Sequence, residues 1–263
     1  MARYIPTYLS GILEDLELER PELVSLHDIR DLCQKHGVRT EPRIVAARLK
    51  ECGWILQTPQ RGVWEFAPAE LAGAYSSADP LIPIKAFAKA NPSCSFALSA
   101  QTAAWALGFA DRVPSVIDVA FERRITLKIP YGIHASVFKS HLSPVRAKGT
   151  TTLVPESIIV AMCSQPSSVR TWQGADEWLG DVAYEMSVER TLDELTGRAV
   201  SVALRTGYLI QAMRPDIAQK IKDGWPHSTS IRFGRGRARR YDKGWHIVDS
   251  TLPFDPRKME RVR

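Results

Sequence analysis

Residues 37–66 read GVRTEPRIVAARLKECGWILQTPQRGVWEF, and the order of signals in this stretch decides the architecture of the first quarter of the chain. Gly37-Val38-Arg39 is a short turn. Thr40 stands where a helix cap is needed, and Pro42 suits a first helical turn, where its missing N–H costs nothing. Val45, Leu49 and Cys52 then recur at i, i+4 and i+7, which makes one apolar stripe. The opposite side carries Arg43, Ala46, Ala47 and Lys50. Residues 54–57 (WILQ) and 63–66 (VWEF) follow as two strand-like runs. Between them, Thr58-Pro59-Gln60-Arg61-Gly62 is a hairpin signal with Gln60 and Arg61 at its tip.

Working outward toward the N-terminus, Leu9, Ile12, Leu13 and Leu16 share a helical face that Thr7 can cap, and Pro21 ends it. Leu23 and Val24 suit a very short strand. Ser25 and Asp28 have the spacing of a helix start. Leu26, Ile29, Leu32 and Cys33 line the next helix, which stops at Gly37. Three helices followed by a two-stranded hairpin is the element order of a winged helix-turn-helix. Two alanines on an exposed helix face let a backbone approach base edges closely, and flanking cations reach guanines or phosphates. Trp54 and Trp64 read as core anchors.

Toward the C-terminus, residues 67–79 are rich in Ala, Ser and Gly and read as a connection. Residues 80–90 suit a helix halted by Asn91-Pro92. Ser99 then caps a second one that runs to Gly108. Residues 116–121 alternate as a strand with one wetter face, and residues 125–129 and 135–138 are further strand candidates. From Pro155 the pattern turns helical. Trp178, Val182 and Met186 share one face, and residues 198–213 form a nearly all-apolar helix. Gly207 within it calls for a close neighbouring backbone. Residues 231–241 read as an arginine-rich loop, whose Arg235, Arg237, Arg239 and Arg240 offer a second surface for phosphate or a protein partner.

Charge and composition narrow the function classes. The 263 residues carry a formal charge of +6 and are 44% hydrophobic, a folded chain able to take an anionic partner. Residues 1–68 hold nine Lys/Arg against ten Asp/Glu, with the acids bunched between Glu14 and Glu22 and the cations between Arg30 and Arg61. That module is one-sided. Residues 222–263 hold eleven basic residues against five acidic ones. The four cysteines lack zinc or redox spacing, so neither metal nor cofactor is expected. No membrane-spanning run and no leader pattern in MARYIPTYLSGILED point to the cytoplasm. Asp118 and Glu122 beside Arg123 and Arg124 suggest a metal-dependent nuclease only weakly, because no third acid accompanies them. A nucleotide fingerprint and a serine elbow are missing, so no enzyme is expected.

The module ending Gly53-Trp54-Ile55-Leu56-Gln57 and Gly62-Val63-Trp64-Glu65-Phe66 resembles the N-terminal part of AbiEi-type antitoxins, especially the mycobacterial subgroup. Residues 96–109, FALSAQTAAWALGF, look like that family's characteristic segment. Residues 192–208, with Leu195-Thr196-Gly197 and Arg205-Thr206-Gly207-Tyr208, are similar too. The resemblance implies an α+β fold: a winged helix-turn-helix over residues 1–68, a linker over 69–79, and a larger mixed α/β domain over 80–263. It also implies an autorepressor that binds inverted repeats of double-stranded DNA in its own promoter and counteracts a co-encoded nucleotidyltransferase-like toxin. By position, Arg39, Thr40, Arg43 and Lys50 become DNA-reading residues, beside Ala47 and the wing residues Gln60 and Arg61. The rival reading is a stand-alone repressor whose second domain senses a small ligand.

Overall fold

The computed structural model describes residues 6–70 and 77–259. It divides into two compact units, residues 1–94 with 127–133 and residues 95–126 with 134–263. The architecture is α+β, as the periodicities imply.

In the first unit, a 3-10 turn (Thr7–Leu9) leads into α1 (Ser10–Glu19), which buries Ile12, Leu13 and Leu16. Thr7 does not cap it with a side chain. Instead its carbonyl accepts from Ser10 Oγ at 2.8 Å. After β1 (Leu23–Ser25), α2 (Leu26–Lys35) begins in a reciprocal capping box. Ser25 Oγ accepts from Asp28 N at 3.2 Å, and Asp28 Oδ2 accepts from Ser25 N at 2.7 Å. Two otherwise orphaned amides are thereby satisfied.

Gly37 turns the chain at φ +64°, a conformation that only glycine adopts cheaply. Next comes α3 (Pro42–Glu51). Its capping position is Glu41 rather than Thr40, with no side-chain bond, and Pro42 opens the helix as expected. Ala46 is a further correction, because it is buried with Val45 and Leu49. It lies three residues before Leu49, and that spacing turns it onto the same face.

The wing is three-stranded. β2 (Ile55–Gln57) and β3 (Val63–Phe66) pair antiparallel with Leu56 opposite Glu65, and β1 pairs on the other side of β3 with Val24 opposite Trp64. Ile12, Ile29, Leu49, Trp54 and Phe66 join one core, with Trp64 packed against it. α4 (Ile82–Ala90) lays Ile82 and Ala86 on Leu23 and Val63. The first unit thus extends through this helix, which the sequence reading placed in the second domain. Of the expected connection 69–79, residues 71–76 lie outside the described residues.

The second unit opens with β4 (Phe96–Leu98), α5 (Ala100–Ala106) and β5 (Ile117–Phe121), followed by β6 (Ile133–Val137), β7 (Val145–Ala147) and β8 (Thr150–Thr152). These strands form one sheet in the order β6-β5-β4-β8-β7. β4 runs antiparallel to β5 and parallel to β8. Two expectations fail here. Every residue of β5 is buried, so it has no wetter face, and residues 125–129 form no strand. Ser99 occupies the capping position of α5 but makes no side-chain cap bond.

Helices dominate after Val154: α6 (Pro155–Ser164), α7 (Leu179–Tyr184), α8 (Val188–Leu195), α9 (Val200–Ile210) and α10 (Pro215–Gly224). α9 is the buried centre, packed on α6 and α10. Gly207 is required there by the Trp245 indole, not by a backbone: a Cβ would stand 2.3 Å from Cη2. The chain ends in a small sheet of β9 (Ile231–Phe233), β10 (Arg240–Asp242) and β11 (Ile247–Asp249), ordered β10-β11-β9. Residues 231–241 are therefore a loop only in their middle, between two strands.

Candidate nucleic-acid interface

The burial of Val45, Ala46 and Leu49 fixes the rotation of α3 and turns Arg43, Ala47 and Lys50 outward, all three exposed. They lie at i, i+4 and i+7, one stripe along the helix. Arg39 is exposed in the turn ahead of it and Thr40 is half-buried. Ile44 is 56% exposed beside Ala47, a feature the sequence reading missed. Its position off the Val45–Leu49 stripe was the available signal. An exposed aliphatic side chain next to alanine suits contact with a thymine methyl group.

The cations of this surface are not equally available. Arg48 donates to Glu51 at 3.0 Å, and that bond raises its pKa further above the ordinary value. Lys50 Nζ donates to Gln57 Oε1 on β2 at 3.0 Å, which ties the helix to the wing. Arg39, Arg43 and Arg61 are exposed and have no partner among the described residues. They are the groups ready to meet phosphates or base edges.

The wing tip is built around Thr58, which is buried. Its hydroxyl donates to Val63 O at 2.7 Å and accepts from Gln60 N at 3.2 Å. Gln60 is therefore held half-buried by its backbone while Arg61 projects. The acids of the first unit are largely engaged elsewhere. Asp15 takes Lys35 and His36 at 2.7 Å each, and these bonds, Lys35 first, lower its pKa. Glu22 takes Lys85 at 2.5 Å. Part of the acid count that cancels the module's charge thus sits in local pairs.

The second basic region splits in the same way. Arg235 and Arg237 are exposed without partners among the described residues, and Arg239 is exposed with a long bond to Leu252 O at 3.4 Å. Arg240 is structural. Its guanidinium grips the buried Asp249 Oδ2 at 2.7 and 3.1 Å, so it is not available to a partner in the way the sequence reading assigned it. Asp118 is buried on β5 while Glu122, past the strand end, is exposed. Among the described residues no group of three His, Cys, Asp or Glu side chains is placed to hold a metal ion. None of the described helices is long and apolar enough to cross a membrane.

Comparison with known proteins places this architecture. No curated protein matches the chain. A solved structure, the RV2827C protein from Mycobacterium tuberculosis, matches with a TM-score of 0.79 at 24% identity, covering 95% of this chain and 94% of that one. At that identity the likeness establishes the fold alone. Residues 96–212 match the family model described as the AbiEi antitoxin C-terminal domain. This span contains the five-stranded sheet and the buried helix α9, and over it the chain is similar to that antitoxin domain.

Proposed function

We propose that this chain is a non-catalytic antitoxin that represses its own operon through the winged unit and counteracts a nucleotidyltransferase-like toxin. The match of residues 96–212 to an antitoxin-family domain supports the antitoxin role. The observation that carries the DNA half is the outward stripe Arg43–Ala47–Lys50 with Arg39, Thr40, Gln60 and Arg61 around it. α3 is presented as a reading helix, its inner face is anchored in the core, and the wing beside it ends in Arg61, unpaired among the described residues. This combination suits a major groove with flanking phosphates. The operator is proposed to be an inverted repeat in the chain's own promoter. Arg235, Arg237 and Arg239 form a second cationic surface for phosphate or for the toxin.

Two assays separate the halves of this proposal. A reporter fused to the chain's own promoter should fall when the wild-type protein is supplied, and should be relieved by Arg39→Ala combined with Arg43→Ala. Co-expression with the neighbouring gene product should restore growth, and the same double variant should still do so when driven from an independent promoter. An unrepressed reporter removes the DNA half. Absence of rescue removes the toxin half.

A further inference from the structure

One cleft of the second unit is unexplained by anything above. It lies where β4 gives way to α5, between β5, β6 and α6, and its floor is Ser99, Ala100 and Asp118. Asp118 is only 3% exposed. One of its carboxylate oxygens is paired: His134 Nδ1 donates to Oδ1 at 3.0 Å. Its main chain is pinned as well, with the amide donating to Thr102 Oγ1 at 2.8 Å. The other oxygen, Oδ2, is buried and has no hydrogen-bond partner among the described residues. A carboxylate oxygen removed from water and left unpaired is costly.

A second observation concerns the same spot. Ala100 adopts φ +44°, a left-handed conformation that a residue with a Cβ avoids. Such strain is held only where the surrounding structure fixes it, and it gathers at binding sites. Both features belong to the segment FALSAQTAAWALGF and the strand beside it, within the antitoxin-family domain.

The shape and lining of the cleft state what it accepts. The space leaves about 20 Å³, room for one water-sized group and no more. Val137, Phe138, Met162 and Val169 line it beside the polar Ser136, Gln165 and Ser168, and no lysine or arginine does. A water-sized cation on an aliphatic stem suits this mixture of a carboxylate, neutral polar groups and apolar side chains. That is the ammonium of a lysine, which is compact, whereas the planar guanidinium of arginine is too broad. We infer that the Asp118–His134 cleft is an anchor pocket for a lysine side chain of the antitoxin's protein partner. The ammonium donates to Asp118 Oδ2, the stem lies along Val137 and Val169, and the strained Ala100 turn holds the floor in place. The identity of the partner rests on the function proposed above; the pocket's preference for a primary ammonium does not.

The full chain is titrated with n-butylammonium chloride, with n-butylguanidinium chloride and n-butanol in parallel, while the imidazole resonances of His134 are followed by NMR. A saturable shift is expected for n-butylammonium with a Kd of roughly 1–10 mM, as befits a five-atom ligand, at least about tenfold weaker binding of the guanidinium, and no saturable response to the alcohol. Asp118→Asn and Ala161→Phe should each weaken n-butylammonium binding at least about tenfold. The first removes the charge and keeps the shape, and the second enlarges Ala161, which lines the cleft from α6, while leaving the carboxylate intact. Thermal melts near that of the parent chain certify both folds. Absence of a saturable shift (a cavity for water only), equal binding of the guanidinium, or undiminished binding by both variants overturns the pocket. In cells, Asp118→Asn should lose toxin rescue while promoter repression persists, and full rescue by that variant overturns the assignment of the pocket to the toxin. Because n-butylammonium binding needs no toxin, failure of the antitoxin reading leaves the pocket standing, and the reverse holds too.

Discussion

At the scale of single residues, packing decides against propensity in several places. Gly207 sits inside α9, where alanine would gain about 1 kcal/mol of helix propensity. The Trp245 ring over it is 6% exposed and is held by a 3.1 Å bond from Nε1 to Gln211 Oε1, so it cannot step aside. Gly207→Ala should therefore lower stability, by about 1–3 kcal/mol as for other overpacked cores, measured by urea denaturation. Unchanged or raised stability would mean that the indole is not seated there. Thiol chemistry follows burial in the same way. Complete burial pushes the Cys163 thiol up to about 12, and desolvation raises Cys33 as well. In the native protein both should resist a thiol reagent that modifies the half-buried Cys52 and Cys94. Early labelling of Cys163 would contradict the packing around α6. Sequence spacing identified Gly207 as anomalous but named the wrong neighbour, because Trp245 lies 38 residues away along the chain.

At the scale of elements, those with a long period were legible, whereas some of those made of three residues were not. The faces of α1, α2, α3 and α9 follow from apolar spacing, and the Ser25–Asp28 capping box follows from its own two residues. Residues 125–129 carry strand-like residues yet form no strand, whereas β9 and β10 were invisible in a polar, arginine-rich stretch. A three-residue strand has no periodicity of its own; its neighbours create it. The capping box makes a testable contribution. Ser25→Ala should cost about 0.5–2 kcal/mol in a thermal or urea melt. Asp28 adds a pH dependence. Burial would raise its pKa, but the Lys89 ammonium and the Ser25 amide outweigh burial and hold it below the ordinary 3.8. A depressed carboxylate contributes stability that is complete above its unfolded value and is lost as pH falls through the folded one. Melting should therefore be insensitive to this group near neutrality and fall as pH drops below about 4. Lys89→Met should flatten that acid limb; an unaltered limb would show that the Asp28–Lys89 pair is not maintained in solution.

At the scale of the whole molecule, the question is where a modest net charge of +6 becomes a binding surface. Acids and bases balance in the first module by count, but they are separated in space: Asp15 and Lys35 pair with each other, while Arg39, Arg43 and Arg61 are exposed and unpaired among the described residues. The helix stripe was readable from spacing. The tie of Lys50 to Gln57 and the pairing of Arg240 with Asp249 were not, since each joins residues from two different elements. If about five phosphates are neutralised, log affinity for promoter DNA should fall against log salt with a slope of roughly −4 to −5. A slope near zero would exclude an interface built on these cations. The most direct test is the affinity of Arg43→Ala for the chain's own promoter fragment, compared with a scrambled duplex at fixed salt. The account expects a loss of about 1–3 kcal/mol confined to the promoter sequence, with relaxed preference at one base position. An Arg43→Ala protein that binds the promoter as tightly and as selectively as the wild type would contradict it.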